Sequence, residues 1–451
     1  MRKIAVVFFI SVMLLAPHQS SAGEEKLYLT APAMLPHTNR QMHTSGYWIS
    51  RHPNPDQPVL DETGVADLNH RIHQKGLTRD LENMPPPTNM ALAAAFEDAL
   101  DKFSDSSYFL PDGKSASKDF YRSARAAMNI PGIPPEVVPQ YGVVVHFTNQ
   151  RFFPDDVPLT AEPLDVNFDE LQNSALDVGT PVVILHKSAD GRWLYVYSPS
   201  SDGWVKAEDV GLAKKAEWRE FLHPPIFVVI TSAKADVYLD PQMTQFDEYI
   251  LMGNVLPFTG AMEGAAIAVK IPRCLSSGEL QVVTGYIKKE DVHVGYLPYT
   301  PRTIIEQAFK LNNTPYGWGG MYGEQDCSRF LQEVFATVGI QLPRNSSDQA
   351  NAGQALGIFE QSTGAEKRME ALNQAAGGKV ILPMKGHIML YLGEVDGRFY
   401  AIHAAWGFRE PVADGEQTRV INRVVVSDLS LGEGSHRGSL LQRLTAVVNV
   451  E

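Results

Sequence analysis

A chain of 451 residues exceeds what one hydrophobic core organises, so at roughly 100–200 residues per domain several units are expected. An apolar fraction of 44% with 20% charged residues excludes a disordered chain. The net charge of −13 repels phosphate backbones, and no basic run interleaved with aromatics offsets it, which argues against nucleic acid as a partner.

In chain order, Arg2 and Lys3 precede an apolar run from Ile4 to Ala16, followed by Ser20, Ser21 and Ala22, the layout of a cleavable secretory signal over residues 1–22. The run is shorter than the roughly 20 residues that span a bilayer, so cleavage after Ala22, export to periplasm or medium, and no stable membrane insertion afterwards are expected. Only Cys274 and Cys327 are present, none placed after the signal to take a lipid, and a chain this poor in cysteine is not built around disulfides. Cys327 is therefore expected to be a free thiol.

Residues 23–139 read as a helical and irregular clip region. Prolines at 85–87 and between 130 and 139 break it, because proline removes a donor and restricts the residue before it. Between them, Leu92, Phe96, Ala99, Leu100 and Phe103 recur at helical spacing, and 117–128 reads as a second amphipathic helix, while the stretch before Pro85 reads as irregular. His70 and His73, with His37, His43 and His52, lack a third ligand at convincing spacing and are read as solvated, so no metal or other cofactor is expected.

Residues 140–215 change to short β-branched and aromatic runs (VVVHF, PVVIL, WLYVY) separated by turn residues, the pattern of a small all-β barrel. Trp193, Tyr195, Tyr197 and Trp204 are read as its core rather than as a ligand-binding stripe. A repeat extends the pattern to residues 222–296: Gly203-Trp204-Val205-Lys206-Ala207-Glu208-Asp209-Val210 returns as Gly285-Tyr286-Ile287-Lys288-Lys289-Glu290-Asp291-Val292, and Phe168-Asp169-Glu170 as Phe246-Asp247-Glu248. Each copy closes with a Gly-aromatic-β-branched strand and an acidic turn, and at these residues the sequence resembles tandem bacterial SH3-like domains.

Residues 300–451 combine helical periodicity at Ile304, Ile305, Ala308 and Phe309 with later strand-like runs, an α+β domain. The glycine-rich Pro315-Tyr316-Gly317-Trp318-Gly319-Gly320 leads to Asp326-Cys327-Ser328-Arg329-Phe330, after which Leu331, Val334, Phe335 and Val338 follow a helical period. Cys327 is thus expected at a helix N-terminus, where the dipole and unpaired N–H groups lower a thiol pKa and face a developing oxyanion. The base such a nucleophile needs is expected at His387, opening the strand-like GHIMLYLG, with His403 on the next run, AIHAA, beyond an Asp396-Gly397 turn signal. A strict two-residue turn pairs His403 with Leu390 and sets the imidazoles on opposite faces. An odd loop or one bulge pairs His403 with Met389 instead, on the face of His387, and the odd loop is predicted.

The ordered motifs PYGWGG, DCSRF, LPRNSSDQ, GHIMLYLG and AIHAA resemble those of the papain-like NlpC-type cell-wall cysteine peptidases over roughly residues 300–450. The resemblance implies a papain-like α+β domain in which Cys327 attacks, His387 moves the proton and His403 holds the imidazole. It also implies Tyr316 near the oxyanion, Asp326 and Ser328 reading substrate amine and carboxylate, and Arg344, Asn345 and Ser346 on a loop beside the cleft. Where the family usually has glycine this chain has Arg329, a cation expected to narrow or recharge the cleft. The implied substrates are peptidoglycan stem peptides, cut between γ-D-glutamate and the diamino acid, with a free N-terminal L-alanine favoured when SH3-like domains precede the peptidase. Two alternatives stand beside this reading: a non-catalytic wall-binding protein, and an amidase or acyltransferase on the same fold.

Overall fold

The computed structural model describes residues 28–105 and 107–451; the expected secretory signal over residues 1–22 lies outside them. No helix among the described residues is long and apolar enough to cross a membrane.

Three seven-stranded sheets organise the described residues. The first runs, in spatial order, Gln172–Leu176, Thr148–Arg151, Asp202–Lys206, Trp193–Tyr197, Pro181–Lys187, Gln140–Val144 and Val210–Ala213. The second runs Phe246–Leu251, Lys234–Tyr238, Leu280–Lys288, Ala266–Cys274, Val255–Glu263, Phe227–Ile230 and Val292–Val294. Ranked by chain position, both have the order 3-2-6-5-4-1-7. The sequence repeat falls on the same place in each: Trp204 pairs with Arg151 and Tyr286 with Tyr238, and the acidic segments become the 3-10 turns Ala207–Asp209 and Lys289–Asp291.

The third sheet belongs to the C-terminal domain, ordered Leu29–Thr30, Gly415–Asp428, Arg398–Val412, His387–Val395, Val380–Met384, Ala446–Asn449 and Gln354–Ile358. All its pairings are antiparallel except the first, where residues from the far N-terminus add an edge strand in parallel. Helix Cys327–Ala336 packs against the two central strands through Phe330, Leu331, Val334 and Phe335, which meet Ile388, Leu390, Ile402 and Ala404 in one hydrophobic core. The opposite face buries Leu372, Met389, Tyr391, Ala401 and Val425, so both sides of the sheet are covered.

The clip region divides between these units. Helix Asn89–Ser104, capped by Thr88, and helix Lys118–Ala127, capped by Ser117, lie on the first sheet, where Phe96 meets Tyr195 at 4.7 Å and Trp204 at 5.1 Å. Trp193, Tyr195 and Trp204 are buried there under a helix of their own chain. The stretch before Pro85, read as irregular, instead holds helix Glu62–Gln74 with Asp61 as its cap. Its Leu68 and Ile72 enter the C-terminal core, a spacing from Val65 that was present in the sequence but masked by surrounding prolines and polar residues.

Candidate active site

The segment before Cys327 turns through left-handed backbone at Gly319 (φ 61°) and Gly320 (φ 84°). A Cβ on Gly319 would meet the Gln172 side chain of the first sheet at 2.5 Å, so glycine there permits the close approach of the two domains. Asp326 caps the helix, its Oδ1 accepting the Arg329 N–H at 2.8 Å, and Cys327 is the first helical residue. The Asp326 carboxylate also accepts from Arg344 at 2.6 Å and from Gly319 N–H at 3.1 Å, and Arg344 goes on to Ser328 Oγ and to Ser174 Oγ of the first sheet. Burial opposes ionisation of Asp326, but the Arg344 guanidinium and these donors hold its carboxyl below the usual range.

Cys327 is buried and unpaired. Burial, with the Asp326 charge next, pushes its thiol up to about 12, against the Ile388 and Ser328 N–H groups and the Arg344 cation that favour thiolate. The expected low thiol pKa is thereby reversed: at this depth desolvation outweighs the helix N-terminus. Burial likewise pulls His387 down to about 3, with the Arg443 cation adding to the effect, and holds His403 well below the imidazole range.

The two imidazoles are joined. His387 Nε2 lies 2.7 Å from His403 Nδ1, and His403 Nε2 lies 2.9 Å from the buried hydroxyl of Ser427 on the neighbouring strand. With Nε2 engaged, Nδ1 is the ring nitrogen of His387 left for another partner. The hairpin that brings the rings together lacks the predicted odd loop: Val395 pairs with Arg398 across a strict two-residue turn, with Asp396 and Gly397 both at positive φ. A bulge between Tyr391 and Gly393 shifts the register instead, so that Leu390 opposes Ile402 and the ladder continued by one residue sets His403 against Met389.

A cavity of about 410 Å³ opens beside these rings, lined by Tyr316, Trp318, His387 and His403. One wall is acidic and comes from the first domain, with Glu162, Asp165 and Glu170; the other is basic, with Arg409, Arg437 and Arg443. Aromatic rings form its rim: Trp406 meets Tyr28 at 5.1 Å and Phe168 at 5.1 Å, and Phe168 meets Trp318 edge-on at 5.2 Å. The Trp318 indole N–H is held by the Asp169 carbonyl at 2.9 Å.

Several sequence-derived assignments change. Asp326, Ser328 and Arg344 form a buried cluster next to the nucleophile in which their charges and donors satisfy one another, and like Cys327 itself they do not line the cavity. Asn345 is exposed and Ser346 begins the short helix Ser346–Gln349, both away from the cavity wall. Arg329 does not recharge the cleft: it is buried, donating to Glu333 at 2.8 Å and to the Ala175 carbonyl of the first sheet at 2.8 Å. Sequence reasoning missed Ser427, Tyr28 and the basic wall, which carry no local motif. Phe168 and Glu170 were noticed only as a repeat.

Comparison with known proteins matches the NlpC/P60 family to residues 313–407 and an SH3 domain of the SH3b1 type to residues 159–206. This chain carries an NlpC/P60-type papain-like peptidase domain. An SH3-like domain adjoins it. The chain is 25% identical over 194 residues to the gamma-D-glutamyl-L-lysine dipeptidyl-peptidase of Bacillus subtilis, covering 40% of this chain and 59% of that protein. It is 34% identical over 88 residues to the bifunctional muramidase/DL-endopeptidase CwlT of the same species (18% and 26% covered) and 32% identical over 104 residues to peptidoglycan endopeptidase RipB of Mycobacterium tuberculosis (20% and 39%). The chain thus spans less than two thirds of each of these relatives. An NlpC/P60 endopeptidase from Photobacterium damselae subsp. piscicida shares the fold with a TM-score of 0.74 at 20% identity, over 94% of this chain and 99% of that one.

Proposed function

We propose that this NlpC/P60-type protein is an exported cysteine endopeptidase that cuts peptidoglycan stem peptides between γ-D-glutamate and the diamino acid, at the periplasmic or extracellular wall. The observation that carries the reading is the chain of contacts from His387 through His403 to Ser427, together with a cysteine at a helix N-terminus that is hydrogen-bonded by the backbone N–H of Ile388, the residue after His387. In this reading residues 222–296 are a second SH3-like module, supported by the sequence repeat and the shared strand order, and the peptidase domain runs over 300–451, with the clip region at 23–139 and the first module at 140–215.

The buried site favours a neutral thiol and neutral imidazole, so His387 acts as a general base during attack. The thiol proton passes to Nδ1 of His387 as sulfur bonds to the carbonyl carbon, and N–H groups at the helix N-terminus stabilise the oxyanion. His387 then gives that proton to the leaving amine as the C–N bond breaks, leaving a thioester. Water bonds to the acyl carbon while losing a proton to His387, and cleavage of the S–C bond returns that proton to sulfur. His403 holds the ring; if Ser427 Oγ accepts from His403 Nε2–H, then His403 Nδ1 must accept from His387 Nε2–H, which leaves Nδ1 bare to take the thiol proton.

The acidic wall from the first module supports a preference for a free N-terminal ammonium, since carboxylates in a partly enclosed cavity attract a cation and the module itself limits the space for glycan. Mass spectrometry of stem peptides with free and acetylated N-terminal L-alanine, incubated with the protein and with Cys327→Ala, tests the reading. Cleavage of the γ-D-glutamyl bond by the unmutated protein alone, and only with a free amine, is expected. No cleavage of any peptide by either protein returns the wall-binding alternative.

A further inference from the structure

The basic wall of the cavity lies on the side of the candidate base. Arg443 ends the short helix Leu440–Arg443, and the next residue, Leu444, bridges Met384, which itself pairs with His387. The guanidinium is close enough for its charge to act on His387, and the charge of Arg437 acts in turn on Arg443. Arg409, the third cation of the wall, pairs with Glu416 at 3.5 Å. Arg443 and Arg437 have no carboxylate partner among the described residues.

Two like charges beside a cavity, one of them half-buried, are unfavourable without a counter-ion. Burial first, and Arg437 second, disfavour the Arg443 cation. An anion seated between them relieves both effects, and guanidinium geometry suits a carboxylate held by two parallel bonds. Position decides which half of the substrate brings it. His387 must deliver its proton to the departing amine, so the leaving half lies on the histidine side, next to Arg443, while the acyl half extends toward Trp318 and the acidic wall.

We infer that Arg443 and Arg437 form a carboxylate-binding subsite for the leaving half of the substrate, selecting a diamino acid with a free carboxylate beside the scissile bond. The identity of the ligand rests on the endopeptidase reading above. That carboxylate has two sources, the side-chain terminus of a diamino acid such as meso-diaminopimelate or its α-carboxyl in a free tripeptide.

Calorimetry with the full-length Cys327→Ala protein separates them, using L-Ala-γ-D-Glu-meso-diaminopimelate, its side-chain monoamide, its α-carboxamide, and the L-lysine analogue. Removing the recognised carboxylate is expected to weaken binding about tenfold or more, and the amide that does so names the source. Adding Arg443→Gln levels the ligands, and Arg443→Lys restores part of the difference. Equal binding of all four ligands overturns the subsite, as does a folded Arg443→Gln protein that keeps the preference. Cleavage of the same four peptides by the unmutated protein reads the endopeptidase assignment separately. Carboxylate-dependent binding without cleavage discards that assignment and keeps the subsite; cleavage with no carboxylate dependence of binding does the reverse; neither discards both.

Discussion

At the nucleophile, two physical effects act in opposite directions. The helix N-terminus and the Ile388 and Ser328 N–H groups favour thiolate, while burial favours the thiol and prevails. The same burial keeps His387 neutral, which makes proton affinity dependent on folding. An unfolded chain protonates this imidazole near its ordinary value of 6.5, and the folded one only near 3. Between those values the unfolded state binds more protons, so the contribution of His387 to stability rises with pH, by about 1.4 kcal/mol per pH unit, and levels off above 6.5. Urea unfolding from pH 4 to pH 8 should show the advantage of the wild type over His387→Gln growing with that slope and then becoming flat. Ser427 acts one step further out. Ser427→Ala removes the hydroxyl partner of His403 Nε2 and with it the constraint on the tautomer, so kcat should fall about tenfold, near 1.4 kcal/mol, with KM little changed. Ser427→Thr, which keeps the hydroxyl, should restore most of it in steady-state assays.

At the scale of elements, the site is a helix start set against a hairpin. Asp326 serves both as helix cap and as the buried partner of Arg344, so a single carboxylate fixes where the helix begins and ties it to the segment after it. Asp326→Ala removes a cap worth about 1 kcal/mol and strands a buried guanidinium, a loss of about 3–5 kcal/mol. A urea midpoint displaced by the sum of those effects is expected, with a smaller displacement in the double variant Asp326→Ala/Arg344→Met, which leaves no unpaired charge. The hairpin was largely legible: two strands, one turn, one histidine on each arm. What the sequence pattern did not reveal is where the extra residue goes. An Asp-Gly pair adopts the two-residue turn for its own local reasons, and the bulge near Leu392 is selected by packing on both faces of the sheet.

For the whole molecule, Arg329 shows how the domains are joined. It spans from Glu333 on its own helix to the Ala175 carbonyl of the first sheet, and Gly320 leaves the room, since a Cβ there would lie 2.7 Å from the guanidinium. Burial raises Glu333 to about 7, with Arg329 opposing it. In Arg329→Met the carboxyl loses that opposition and its pKa climbs further above the unfolded value. The folded state then holds its proton where the unfolded state has released it, so the loss of stability should be larger at pH 8 than at pH 6. Thermal melts at the two pH values check this. Asp177 makes a comparable link between the two β-rich sheets, accepting from Leu251 N–H at 2.7 Å.

Local chemistry in the sequence determined the α+β character of the C-terminal domain, the helix opening at Cys327, the strands bearing His387 and His403, and the repeat behind the two like sheets. Each of these depends on periodicity or on neighbours a few residues away, which a sequence displays directly. Tertiary structure alone decided that Asp326 and Arg344 face each other instead of the cavity, that Ser427 ends the histidine chain, and that the cavity has one acidic and one basic wall. Those outcomes depend on desolvation and on contacts between residues far apart in the chain, such as Ser174 with Arg344 or Phe168 with Trp406. Neither burial depth nor such a meeting has a local signature.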